Sequence, residues 1–419
     1  MGKGALRIAR GTLFAQVVAL VSLPVITRLF TPSDFGTFAL YTSVLSIALI
    51  FASLKYELAI PLPEKDEDAV SVTILACALV LFISAIFMMV FLTCGEMLLQ
   101  ILQLSPLQSY TGILIVSFFC AGLYQVLNFW AIRIKAYQLI GSTLIRKSCA
   151  GSAGKIFFGL LQWGVPGLIL GDLLSQMSGL VSVSVAFWKN SADAVKKTTL
   201  HDTVRIARRY FRFPLFSLPS VFFNTLAFQL PVILLFSFYG SVTAGSYSLA
   251  MSVFAVPVGL VSISISQVFL GEIAGVLRTD PGKIRSLYHT TLIRIATITV
   301  PLIAALGLAA PVVFPVIFGI AWKDAGYFCT ALCLMVVLQT CVSSVSILHY
   351  SGFNSAVLFF DGVRTGVVAG IFAGAHLLNL SALDAIILYS AAMGFMYVVN
   401  YAINLKAISY LESSSLKTE

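Results

Sequence analysis

Charged residues are scarce in this chain: Asp, Glu, Lys and Arg make up 10% of its 419 residues, where a soluble domain carries roughly a quarter. That scarcity excludes an ordinary water-facing surface. Histidine is scarcer still, and His201, His289, His349 and His376 are isolated from one another, so no hydrolase or transferase constellation is visible. Seven cysteines lie in or near apolar runs at no metal-ligand spacing, which reads them as small core residues and implies no metal or cofactor. Gly151 to Lys155 lacks the early glycine and the closing Ser or Thr of a phosphate loop, so no ATP site is implied. Strict alternation of apolar and polar residues is missing too, which excludes a transmembrane barrel.

What is present is apolar: 59% of the residues are hydrophobic and the mean hydropathy is +0.98. A spanning chain must satisfy its backbone internally, so these runs are helices. Twelve of them are expected, near 10–30, 37–58, 70–93, 110–132, 148–165, 167–187, 214–238, 243–270, 292–317, 325–348, 358–378 and 385–405. The first, though preceded by Lys3, Arg7 and Arg10, is long and leads directly into a second, so it reads as a retained helix rather than a leader.

The net charge of +9 is a topology signal rather than a nucleic-acid signal. With a cytoplasmic N-terminus, every Lys and Arg except Arg28, Lys155 and Lys323 falls on the inner side, which places both termini in the cytoplasm. Trp130, Trp163, Trp188 and Trp322 fall at expected span ends, where amphipathic rings prefer to sit.

The chain repeats itself at half its length. Leu23-Pro24-Val25-Ile26 returns as Leu230-Pro231-Val232-Ile233, and Leu40, Ser43 and Val44 return as Leu249, Ser252 and Val253. The expected architecture is an all-α polytopic membrane protein with about twelve spans in two parallel six-helix halves, 1–194 and 214–419. The connection 195–213 reads either as a solvated linker or as an amphipathic helix on the inner leaflet, since Val204, Ala207 and Phe211 recur at helical spacing among four arginines. Gly366, Gly370 and Gly374 form one stripe, expected to admit a neighbouring helix.

Charges inside a bilayer cost a few kcal/mol or more and by default mark a pathway, partner or cavity. Arg28, near the outer end of the first span, either snorkels to the headgroups or binds substrate; its repeat counterpart is Leu235, which favours the second reading. Lys155 lies about 12 Å along a helix beyond Lys147, well inside the fifth span. It either reaches the inner surface or holds an anionic headgroup, with Asp172 as its acidic neighbour. Glu57 ends the second span beside Lys55, as a surface ion pair or as a proton or cation site. Asp361 and Arg364 have the spacing of a helical salt bridge. Thr31, Pro32 and Asp34 have the pattern of a capping box, with Gly36 allowing close packing.

Pro24, Thr27-Arg28-Leu29-Phe30-Thr31-Pro32, Asp34-Phe35-Gly36 and Tyr56-Glu57-Leu58-Ala59-Ile60 resemble the opening signature of polysaccharide-repeat flippases of the Wzx type, in the multidrug/oligosaccharidyl-lipid/polysaccharide (MOP) exporter superfamily. Phe318-Gly319, Trp322 and Ala325-Gly326 resemble a second feature of that family. The resemblance implies a MATE-like fold and a transporter rather than an enzyme. Its substrate would be undecaprenyl-pyrophosphate oligosaccharide, moved by alternating access across the bacterial inner membrane, with a polysaccharide polymerase and a chain-length regulator as partners. It also implies coupling to a proton or sodium gradient, for which Asp172 and Glu57 are the candidates. A multidrug exporter of the same superfamily shares the fold. A membrane-embedded glycan polymerase or ligase is disfavoured by the lack of a large outer loop, and a major-facilitator transporter by the acidic, glycine-free Pro61 to Asp68 connection.

Overall fold

The structure, a computed structural model, describes residues 3–101, 105–279, 281–348 and 354–415. His349 lies outside them. The described residues are helical with no strand, and ten of the helices are long and apolar enough to cross a membrane.

Packing divides the chain into two compact units, Met1–Gly245 and Ser246–Glu419. The first contains α1 (Lys3–Leu29), α2 (Pro32–Ala48), α3 (Asp66–Ile101), α4 (Thr111–Arg133), α5 (Tyr137–Leu160), α6 (Val165–Lys197), α7 (Leu200–Arg209), α8 (Leu218–Tyr239) and the start of α9 (Ser241–Thr279). The second contains the rest of α9, then α10 (Ile284–Phe318), α11 (Lys323–Ser343), α12 (Asn354–Leu377) and α13 (Ala382–Ser415). Two long helices are not among the ten candidate spans. These are α2, of 17 residues, and α5, which carries Arg146, Lys147 and Lys155.

In the first unit α1 and α5 run parallel. Gly11 faces Gly141 so closely that a Cβ on Gly11 would lie 2.5 Å from the Gly141 Cα. Further along, Ser148 Oγ donates to the Ala15 carbonyl at 2.6 Å, and the Ser22 and Ser152 hydroxyls are 2.9 Å apart. The expected capping box is present: the Thr31 hydroxyl accepts from the Asp34 amide at 3.2 Å, and the Asp34 carboxylate accepts from the Thr31 amide at 2.9 Å. This closes the first turn of α2, with Pro32 where a missing N–H costs nothing.

The close packing expected at Gly36 is also present, and it is reciprocal. A Cβ on Gly36 would lie 1.8 Å from the Ser241 carbonyl oxygen, and one on Gly245 would lie 1.9 Å from the Pro32 carbonyl oxygen. Gly36 and Gly245, like Pro32 and Ser241, are separated by the same 209 residues as Leu40 and Leu249. Repeat-related glycines therefore meet each other across α2 and the first turns of α9. Ser33 and Ser241 share a 2.8 Å hydrogen bond at the same contact. Either Gly36→Ala or Gly245→Ala drives a methyl group into backbone that no rotamer change can clear, and is expected to cost about 1–3 kcal/mol. A lower thermal-inactivation temperature of the purified variant checks this.

Several sequence expectations change in detail. The second span was expected over 37–58, but α2 ends at Ala48, and turns with Leu54 and Lys55 at positive φ lead into a short 3-10 helix, Tyr56–Ala59. The fifth begins earlier than 148, at Tyr137. Of the tryptophans, Trp163 and Trp188 are exposed, whereas Trp130 and Trp322 are buried core residues. Among the described residues no helix of this chain reaches the glycine stripe: a Cβ on Gly366, Gly370 or Gly374 would meet nothing within 4 Å, and α12 packs on α13 with its Val368 and Phe372 side.

The connection after α6 is a docked helix rather than a solvated strand of linker. Thr199 and Asp202 form a second capping box, at 3.2 Å in both directions, that starts α7. These bonds from Thr199, reinforced by Arg205, hold the Asp202 carboxyl below its usual value of 3.8. A depressed folded-state value means that the stabilisation is present above the ordinary carboxylate range and is lost as pH falls through it. Amides at the start of α7 are therefore expected to keep their hydrogen-exchange protection at neutral pH and to lose it below about pH 4, with Thr199→Ala losing it at every pH.

Candidate functional site

The polar interior of the first unit is built on the α5/α6 contact. These helices pack antiparallel with Gly151 against Ser175, Gly154 against Gly171, Lys155 across Gly171 and Lys147 across Gly179. The two lysines are eight residues apart, and so are the two glycines beneath them. A Cβ on Gly171 would lie 2.5 Å from Lys155 Cγ, and one on Gly179 would lie 2.7 Å from Lys147 Cδ. Glycine on α6 is what lets each lysine stem lie flat over the facing helix, and the stems carry the ammonium groups away from that contact towards α2 and α4.

There they meet aromatic faces. Lys155 Nζ stands 4.6 Å from the centroid of Phe38 on α2, and Lys147 Nζ stands 3.8 Å from the centroid of Tyr124 on α4. A cation over a ring is stabilised by roughly 0.5–2 kcal/mol, most where water is excluded. Lys147 also donates to Gln176 Oε1 at 2.8 Å. Asp172, one helical step from Gly171, lies within electrostatic reach of Lys147, Lys155 and the Tyr41 hydroxyl. Tyr41 itself is fully buried and donates to Ser117 Oγ at 2.7 Å. The cluster thus holds two lysines whose positions are about 12 Å apart along α5, one carboxylate, and three aromatic rings from two further helices.

The sequence named Lys155 and Asp172, and the fold gathers them. It missed Lys147, which it placed in a connection before the span. The signal lay in the glycines: Gly171 and Gly179 repeat the Lys147 to Lys155 spacing, as an antiparallel partner must.

Glu57 sits elsewhere. It is 1% exposed and pairs with Lys55 at 3.2 Å, accepts from Gln125 Nε2 at 3.0 Å and bonds the Ser53 hydroxyl. This is a buried pair rather than a surface one. Arg28 is in the last turn of α1, where its charge suits the helix dipole, and it is exposed. Leu235 is fully buried, so the two repeat positions do not share an environment and their difference does not single out Arg28. In the second unit Asp361 and Arg364 form the expected i, i+3 pair at 3.2 Å, and both are buried. Among the described residues no group of His, Cys, Asp and Glu is arranged to hold a metal ion.

Comparison with known proteins adds a sequence match over most of the chain: the profile of the family described as "Polysaccharide biosynthesis protein" covers residues 25–326. The chain belongs to that family. No curated protein matches it by sequence. Among solved structures, this member of the polysaccharide biosynthesis protein family resembles a multidrug resistance MATE family transporter of the MOP superfamily in an outward-facing conformation, at a TM-score of 0.62 and 16% identity, over 98% of this chain and 96% of that one. It resembles a MOP superfamily transporter from Pyrococcus furiosus at a TM-score of 0.61 and 17% identity, over 98% and 96% of the two chains; that protein is described as having a binding pocket of reverse polarity that suggests a different function. A Vibrio cholerae MATE transporter follows at a TM-score of 0.52 and 12% identity, over 100% and 96%. The fold is that of MOP superfamily transporters, as the Thr27 to Gly36 and Tyr56 to Ile60 signatures imply.

Proposed function

We propose that this protein is a flippase for lipid-linked oligosaccharide repeat units, moving undecaprenyl-pyrophosphate oligosaccharide from the inner to the outer leaflet of a bacterial plasma membrane. The observation that carries the reading is the sign of the α5 cluster. Two lysines against one carboxylate leave an excess positive charge inside the first unit, which suits a pyrophosphate and opposes an organic cation. The family supports a polysaccharide precursor as the cargo, and the P. furiosus relative is a precedent within this fold for a pocket of unusual polarity.

In this reading Lys155 and Lys147 hold the diphosphate by charge-assisted hydrogen bonds, and Phe38, Tyr41 and Tyr124 offer faces on which sugar rings pack. Arg28 meets the headgroup near the outer end of α1. Asp172 is the ion-coupling carboxylate: with the coupling ion bound it frees both lysines for the anion, and without it the carboxylate competes with the anion for them. The architecture we infer is twelve spans with both termini cytoplasmic, in two parallel halves, 1–194 and 214–419, working by alternating access. The polymerase and chain-length regulator of the same polysaccharide act on its product.

Proteoliposomes test the reading. Polyprenyl-pyrophosphate oligosaccharide loaded in one leaflet is expected to become accessible to an added glycosidase only when the protein is present and a proton or sodium gradient is imposed. Protein-dependent efflux of an organic cation dye, with no movement of the glycolipid, would instead identify a multidrug exporter.

A further inference from the structure

The strongest feature outside the α5 cluster is the surface of α7 and the π-helical turn Phe213–Ser217 that joins it to α8. One side of α7 is fixed to the protein. Ile206 is 1% exposed in the core of the first unit, the Tyr56 hydroxyl donates to the Ala207 carbonyl at 3.0 Å, and Arg205 pairs with Asp68 at the start of α3 at 2.8 Å. The orientation of α7 is therefore set, and so is the face it turns outward.

That face is unusual for a connection between spans. Val204, Phe211, Leu215 and Phe216 are all exposed, the last to 65%. Arg208, Arg209 and Arg212 are exposed among them, and no acidic side chain among the described residues pairs with any of the three. Val204 and Arg208 lie one turn apart on α7, and Phe211, Arg212, Leu215 and Phe216 follow in the turns that lead into α8. Water is a poor environment for four large apolar side chains. A purely hydrocarbon environment is a poor one for three guanidinium groups. The headgroup layer of a bilayer accepts both, with the rings at the acyl boundary and the guanidinium groups among phosphates. The segment is also held at that depth, because α6 ends two residues before α7 begins and α8 starts directly after the π-helical turn, and both are candidate spans.

We propose that the outward face of α7 and the Phe213–Ser217 turn is a docking surface for anionic phospholipid headgroups. The lipids belong to the leaflet on the side where α6 ends. Arg205 is occupied by Asp68 and Asp202 and positions the helix; Arg208, Arg209 and Arg212 read the lipid charge; Val204, Phe211, Leu215 and Phe216 supply the apolar contact. The proposal rests on the flippase reading only for which leaflet this is, so transport failing in proteoliposomes leaves it intact.

Hydrogen exchange of the full chain in nanodiscs tests it. Discs of phosphatidylcholine alone are compared with discs carrying about 30% phosphatidylglycerol, a level at which an anionic surface potential develops. Amides from 208 to 217 are expected to exchange more slowly in the anionic discs, with the difference lost at high salt and in the R208Q/R209Q/R212Q variant. Protection of α3 and α4 in that variant reports that it is folded. Equal exchange of the wild-type protein in the two discs, or a slowing that survives high salt, would overturn the proposal, and neither result depends on how the variant behaves.

Discussion

Lys155→Ala is expected to reach the membrane at normal abundance and to lower surface polysaccharide about tenfold or more. A lysine that binds a desolvated phosphate contributes roughly 1.5–3 kcal/mol per charge-assisted hydrogen bond, so transport should fall about tenfold to a hundredfold or more for each lysine lost. Folding should suffer far less. The Lys155 stem lies over Gly171, and alanine leaves that close contact of α5 and α6 unhindered. Lys147→Ala is expected to behave similarly, and Lys155→Arg to recover part of the activity, because it keeps the charge over Phe38 while changing its shape. Arg28→Ala tests the outer end of the same route. Cell-surface polymer measured beside membrane abundance checks all four, and normal polymer from the Lys155 and Lys147 alanine variants together would remove the cluster from the transport path.

The second large effect belongs to Glu57 and concerns folding. Removing one partner of a buried ion pair leaves the other charge uncompensated, at a cost of about 3–5 kcal/mol. Glu57→Gln strands Lys55, which is 6% exposed and held at positive φ, and it weakens the bonds from Ser53 and Gln125 as well. The expected result is a sharp loss of folded protein in the membrane. The double substitution Lys55→Met/Glu57→Leu removes both charges and is expected to recover much of that loss, as apolar replacements of buried pairs often do. Transport by the double variant assigns ion coupling to Asp172; a folded double variant that cannot transport returns Glu57 to the coupling role.

The two carboxylates look alike in the sequence and stand in different surroundings in the fold. In sequence Asp172 and Glu57 are each an isolated acid next to apolar residues at the end of an expected span. Hydropathy cannot tell an acid shared between two lysines and a tyrosine from one enclosed by a lysine, a serine and a glutamine. Span edges made the same difference for Lys147. Gln138, Ser142, Thr143, Arg146 and Lys147 interrupt the apolar pattern and hid the first turns of α5, since hydropathy marks where a helix contacts lipid rather than where its hydrogen bonds begin. The glycine stripe of α12 differs in the opposite sense: small residues permit a close approach without requiring one, and no described helix of this chain takes it.

The class of the protein, the helical nature of its spans, the capping box at Thr31 and the close contact at Gly36 were all legible in the sequence. Each follows from local physics: backbone groups in lipid must pair within a helix, Thr and Asp three residues apart close a first turn, and only glycine leaves room for facing backbone. The tertiary structure decided which charges meet. That depends on the register of α5 against α6 and of both against α2 and α4, a sum of packing contacts spread over more than a hundred residues of chain, and no local pattern carries it.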